Sequence, residues 1–224
     1  MLRFIKILKW FFITFIGIFL VLNILFFRPD YTLKRLEKIY YTEASHYIEL
    51  SILSLELEEK NITIHYQDYG DVDDPTIILL HGAFASSHTF EPWAEVLVAH
   101  HFRVILIDLP YHGLSGGFDD HITSLRRSSE VVLALVQELN IQSFYIGGNS
   151  MGGGVSWYTA GNPHLEDIEI LGVILIDAVF PNDSERPGQN VSSLLSRPFP
   201  SWYVSRMTPK FVIRYLLNGV YGSE

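Results

Sequence analysis

The chain has 224 residues, a formal net charge of −9 and no cysteine. That length suits one domain with a sizeable core rather than two, and the acidic balance argues against a nucleic-acid partner, which would need a basic face. The missing cysteines exclude disulfides, thiolate metal sites and thiol nucleophiles, and the nine histidines show no HExxH or paired spacing, so neither a metal nor a cofactor is expected.

The N-terminus reads MLRFIKILKWFFITFIGIFLVLNILFFRPD. From Trp10 to Phe27 it carries no charge, and at about 1.5 Å rise per residue this run covers roughly 27 Å, close to the hydrocarbon thickness of a bilayer. Lys6, Lys9 and Trp10 on one side, and Phe27 and Arg28 on the other, suit the two interfaces. A cleaved signal peptide would have a shorter apolar run and a small-residue cleavage site; Phe26-Phe27-Arg28-Pro29 stands here instead. Residues 10–27 are therefore expected to anchor the chain in a lipid bilayer as a single pass. Basic residues flank the run on both sides, so charge does not decide its orientation, and an extracytoplasmic domain is the working preference.

Residues 31–60 are mixed and charged, with helical character around Leu33–Tyr41, and read as a spacer. Ile62, Ile64 and Tyr66 then alternate with polar residues, the pattern of a half-exposed strand. After a turn at Asp71–Pro75 come continuous apolar runs: TIILL (76–80), RVILID (103–108), SFYIGG (143–148) and GVILID (172–177). Runs of this kind belong to strands buried on both faces of a parallel sheet. Helical stretches separate them, at Glu91–Ala99 (closed by His100-His101), at Ser124–Leu139 with Thr123 or Ser124 as the cap, and from about Ser150 onward. The alternation predicts an α/β domain with a doubly wound, mostly parallel sheet over 61–179. From Phe180 the pattern breaks into PNDSERPGQN, RPFPSW and an amphipathic stretch over Thr208–Asn218, so 180–224 reads as an inserted, mainly helical segment.

The stretch with most chemical content is YIGGNSMGGG, residues 145–154. Gly148-Asn149-Ser150-Met151-Gly152 fits G-x-S-x-G at the end of a strand and the start of a helix. Presenting a serine Oγ there needs a very tight turn, in which a Cβ at Gly148 or Gly152 would strike backbone. The same turn sets the serine at a helix N-terminus, where amides and the helix dipole favour negative charge. The Met151 amide is then a donor for an oxyanion. His81-Gly82-Ala83-Phe84, after TIILL, forms a second turn able to supply another such amide.

With HGAFAS after the third strand, DLPYHGLSGG after the fourth and GGNSMGGG after the fifth, the chain resembles the α/β-hydrolase fold family over about residues 60–224. That resemblance implies Ser150 as nucleophile, the amides of Ala83 and Met151 as the oxyanion hole, and Phe84 as the neighbouring alternative donor. It makes the segment after Ile176 the start of a cap that covers the pocket. The GNSMGG wording is similar to carbon–carbon bond hydrolases of ring-fission products, and also to membrane-anchored monoacylglycerol lipases and general esterases. Tyr111 departs from the pattern, since relatives commonly carry glycine before the His-Gly. His81 and His112 read as structural turn residues and Asp108 as a brace for its loop, while Trp157 and Tyr158 are core by default.

A serine nucleophile needs a base and a carboxylate that orients it. In this fold the order is Ser, Asp or Glu, His, yet the last histidine is His164. Asp177, after the sixth strand, is the candidate acid in a variant arrangement. The 224 residues are thus expected to be part of a longer hydrolase, inactive by themselves, with GVILID left as an exposed apolar edge. The expected activity is hydrolysis of an ester or related acyl bond in a small, lipophilic substrate. A carbon–carbon hydrolase and a non-catalytic binding protein on the same fold are the rivals.

Overall fold

Apolar runs without a polar interruption build the middle of a six-stranded sheet. Its strands are β1 (Ser45–Leu53), β2 (Glu59–Tyr69), β3 (Thr76–Leu80), β4 (Arg103–Ile107), β5 (Ser143–Asn149) and β6 (Glu169–Ile176), in the order β1-β2-β4-β3-β5-β6. β4, β3, β5 and β6 run parallel, while β1 and β2 join antiparallel at one end. The helices are α1 (Leu2–Phe26), α2 (Leu33–Tyr40), α3 (Glu91–Ala99), α4 (Leu125–Glu138), α5 (Met151–Ala160) and α6 (Lys210–Tyr221). The structure is a computed structural model that describes residues 2–53, 59–162, 168–179, 206–207 and 209–221. The chain forms two compact units, one of Met1–Thr32 with Glu185–Glu224 and one of Leu33–Ser184.

Both faces of β3 and β4 are dry, which is why their sequences are apolar beyond the first residue of each, Thr76 and Arg103. Ile78, Leu80, Ile105, Ile107, Phe144 and Ile146 pack on one face against Val131, Val132, Leu135 and Val136 of α4 and Val155 of α5. The intervening residues Ile77, Leu79, Val104 and Leu106 turn to the other face, onto Phe90 and Ala94. Helices on both faces of a mostly parallel sheet make the doubly wound α/β architecture that the alternation of elements implied. Ser124 caps α4 as expected, its side chain accepting from the Arg127 amide at 3.1 Å, a contact that contributes about 1 kcal/mol.

Two local readings change. Residues 31–60 are not simply a spacer: after α2, Ser45–Leu53 forms the edge strand β1, paired antiparallel with β2 along its whole length. Its mixture of Glu49 and Ser51 with Leu50 and Ile52 is the alternation of a strand with one wet face, and Leu50 and Ile52 are buried. The face of β2 opposite Ile62, Ile64 and Tyr66 is also not solvent-exposed throughout, because His65 and Gln67 are fully buried. A polar network covers that face, so period-two alternation did not mean exposure there.

Burial on both faces holds for β3 and β4 and fails for β6. Leu171, Val173, Ile174 and Leu175 are 39–42% exposed at the sheet edge. In the other unit, α1 is a 25-residue helix whose side chains are almost all exposed, and it is long and apolar enough to cross a membrane. Of the helical segment expected over 180–224, residues 206–207 and 209–221 are described, and they contain α6.

Candidate active site

The C-terminal ends of three adjacent parallel strands meet at one place. β3 lies between β4 and β5, and Leu80 is in register with Ile107 on one side and Gly148 on the other. The turns that follow these strands carry His81, Asp108 and Ser150. In an open α/β sheet this is the position where ligands bind.

Ser150 sits between β5 and α5 with φ 50° and ψ −112°. A non-glycine residue at positive φ is strained, at a cost on the order of 1–3 kcal/mol, and persists only where its surroundings hold it. They do so through the backbone. The Ser150 amide donates to the Ile176 carbonyl at 2.9 Å, and the Ser150 carbonyl accepts from Gly154 at 3.1 Å and Val179 at 3.0 Å. The flanking glycines are required by close approach: a Cβ on Gly148 would lie 2.4 Å from the Gly152 carbonyl carbon, and one on Gly152 would lie 2.1 Å from the Leu80 oxygen.

The β3 turn presses against this elbow. A Cβ on Gly82 would fall 2.8 Å from Asn149 Oδ1 and 3.5 Å from Ser150 Cβ. Asn149 in turn donates from Nδ2 to the Ile176 carbonyl at 3.3 Å. Ala83 and Phe84 follow, both exposed, with Phe84 at φ 60°. Among the described residues, neither the Ala83 amide nor the Met151 amide donates to a protein acceptor. For Met151 the cause is position, since the first amides of a helix have no partner within it. The structure therefore brings Ser150, Gly82, Gly148 and Gly152 to one corner, with the Ala83 and Met151 amides in the flanking turns.

His81 has a different task. It is fully buried, its Nδ1 pairs with the Gly82 carbonyl at 2.7 Å, and its Nε2 accepts from the Leu109 amide at 3.0 Å. Because an amide can only donate, Nε2 must be unprotonated, and the ring is the neutral Nδ1–H tautomer. Burial pushes its pKa below the usual histidine value, against the opposing pull of the Gly82 hydrogen bond. His81 thus ties the β3 turn to the β4 turn and has no nitrogen left for proton transfer. His112 lies beside it, ring centroids 5.1 Å apart, and pairs through Nδ1 with the Pro110 carbonyl at 2.9 Å.

Asp108 is the centre of the β4 turn. Its carboxylate accepts from His65 Nδ1 (2.8 Å), the Leu114 amide (2.8 Å) and the Ser87 amide (2.6 Å). Burial raises its pKa, but these three donors outweigh that effect and hold the carboxyl below the usual aspartate value. Gly113, at φ 53°, lies against this carboxylate and leaves no room for a Cβ. Tyr111, the departure noted in the sequence, sits at φ 66°, which explains why glycine suits the position. Here its hydroxyl donates to the Phe118 carbonyl at 2.9 Å and its amide to the Gly116 carbonyl at 2.8 Å.

Sequence reasoning missed His65. Its only signal was a polar residue on the side of a strand that normally meets water, and its pairing with Asp108 becomes visible once β2 and β4 lie side by side. Asp177 follows Ile176 directly, with φ 46°, and is exposed. His164 lies outside the described residues.

A family model described as the alpha/beta hydrolase fold matches residues 75–210, more than half of the chain. The chain belongs to the α/β-hydrolase fold family. The 30 kDa subunit of magnesium chelatase from Rhodobacter capsulatus is 37% identical over 89 residues, 40% of this chain and 31% of that protein. A 2-hydroxy-6-oxononadienedioate/2-hydroxy-6-oxononatrienedioate hydrolase from Escherichia coli is 32% identical over 104 residues, 45% of this chain and 36% of that one. A thermophilic esterase from Thermogutta terrifontis shares the fold with a TM-score of 0.53 at 23% identity, over 62% of this chain and 48% of its own. The match thus spans about a third of the length of these curated relatives of the α/β-hydrolase chain.

Proposed function

We propose that the chain is a membrane-anchored serine hydrolase for carboxylic esters or related acyl bonds, with Ser150 as nucleophile. One observation carries the reading: Ser150 is held at φ 50° at the head of α5, beside turns whose Ala83 and Met151 amides are not engaged by protein among the described residues. Ser150 Oγ attacks the acyl carbon while its proton passes to a base. The carbonyl oxygen takes up negative charge against the two amides, each such donor being worth about 3–4 kcal/mol to the transition state. Collapse expels the alcohol, which takes that proton from the base. The freed base then deprotonates a water that attacks the acyl carbon, and the second collapse frees the acid and returns the proton to the serine. His81 is not that base, because both its nitrogens are held. Asp177 is our candidate for the orienting carboxylate, since it directly follows the residue whose carbonyl binds the Ser150 amide. α1 as a bilayer anchor would keep such a site close to lipophilic substrates.

The test uses the full-length gene product in its membranes. A fluorophosphonate probe is expected to label the wild type and not S150A, with turnover of p-nitrophenyl esters rising with acyl length. Equal labelling of both proteins would remove Ser150 from its role. The Escherichia coli relative favours a second reading, cleavage of a carbon–carbon bond in a vinylogous diketone by the same serine. Turnover of such a diketone with inert esters would select it. No labelling and no effect of S150A would leave a binding protein.

A further inference from the structure

The two compact units carry opposite charge. Met1–Thr32 with Glu185–Glu224 contains nine Lys and Arg against three Asp and Glu, whereas Leu33–Ser184 contains seven against twenty-two. An anionic surface therefore attracts the first and repels the second. Within the basic unit, the chain just beyond α1 is fastened to the chain just before α6. The Arg28 amide donates to the Arg206 carbonyl at 2.8 Å, and the Arg206 guanidinium pairs with Asp30. The start of α6, Lys210, is four chain steps beyond Arg206, a span of at most about 14 Å. If α1 crosses a bilayer, Arg28 and Asp30 lie at its polar margin, and α6 begins within about 14 Å of that margin.

The described part of α6 suits that position. Lys210 and Arg214, one turn apart, form a basic stripe. Val212 lies opposite the stripe, while Phe211, Ile213 and Tyr215 are 69%, 43% and 78% exposed. Apolar and aromatic side chains left open around a helix with a basic stripe mark an interfacial helix.

We propose that α6 is a lipid-binding helix. It lies in the headgroup plane beside the end of α1, with Val212 and its flanking apolar residues toward the acyl chains and Lys210 and Arg214 on anionic lipid phosphates. This rests on the reading of α1 as an anchor. The absence of cysteine gives a clean test with the full chain in phosphatidylcholine vesicles with and without phosphatidylglycerol. Nitroxides on single cysteines at 212 and 215 are expected to collide with oxygen, and those at 210 and 214 with a water-soluble nickel chelate. K210Q/R214Q is expected to lower the immersed-to-released ratio of α6 about thirty-fold with the anionic lipid, from about five-fold per basic residue, and to change little without it. A nitroxide at I16C reports the anchor separately. With that label in oxygen, nickel contact at every α6 site, shielding of all sites by protein, or no effect of K210Q/R214Q in anionic vesicles overturns the proposal alone. Nickel contact at 16 overturns the anchor and this inference together.

Discussion

Two turns at the same end of the sheet differ in how their polar groups are used. In the turn after β4, Asp108 accepts three hydrogen bonds, and His81, reaching over from the β3 turn, uses both ring nitrogens to hold that turn in place. In the elbow after β5, the chain holds Ser150 in a strained conformation and leaves the Met151 amide without a protein partner among the described residues. Buried polar groups with every bond made rigidify a structure. Polar groups held in place but left open can serve a substrate. The comparison teaches that the residues most conspicuous as acids and bases, Asp108 and His81, are the frame, and that the chemistry is to be sought in the open corner beside them.

Four experiments break or sharpen that contrast. The largest effect on activity is expected from S150A, which abolishes fluorophosphonate labelling while changing the melting temperature of detergent-solubilised protein hardly at all. A large loss of stability would instead make Ser150 part of the frame. D108A should show the reverse pattern. It strands His65 Nδ1 and the Ser87 and Leu114 amides in a buried site, which costs about 3–5 kcal/mol and lowers the melting temperature on the order of 10 °C. A melting temperature close to wild type would show that these bonds brace nothing.

G152A comes next. Its Cβ would overlap the Leu80 carbonyl at the join between elbow and frame, so a loss of about 1–3 kcal/mol is expected together with loss of labelling. Retained labelling at full stability would mean that the elbow is looser than its geometry. The smallest effect is on acid stability. His81 has a folded pKa below its unfolded value near 6.5, so its contribution is complete above about pH 6.5 and declines as pH falls below it. Asp108, also depressed when folded, contributes above its unfolded value near 3.9 and loses that as pH falls through its lower folded value. Urea unfolding across pH should show the upper decline in the wild type and not in H81Q. Identical profiles would remove His81 from the frame.

Much of the candidate active-site corner could be read from residue order. The glycines at 148 and 152 announced a backbone approach too close for a Cβ, and in the structure a Cβ at either position would overlap backbone of Gly152 or Leu80. The helix beginning at Met151 and the strand ending at Asn149 fell where the motif needed them. The His65–Asp108 pair was not legible, because their separation of 43 residues holds no local signal and period two assigns His65 to water. The edge strand β1 was missed for a related reason: a charged, alternating stretch is equally compatible with a linker until a partner strand is known.

The sequence by itself determined the parallel core, through runs that admit water on neither face, and the elbow, through glycines that a side chain would displace. It also determined that one helix is long and apolar enough to span a bilayer. Those properties depend on neighbours along the chain, and periodicity records them. Tertiary structure alone decided which histidine pairs with Asp108, that His81 has no nitrogen free for catalysis, and that Arg206 meets Asp30 across 176 residues of sequence. Each of these is set by which elements lie side by side, and no local pattern in the sequence carries that information.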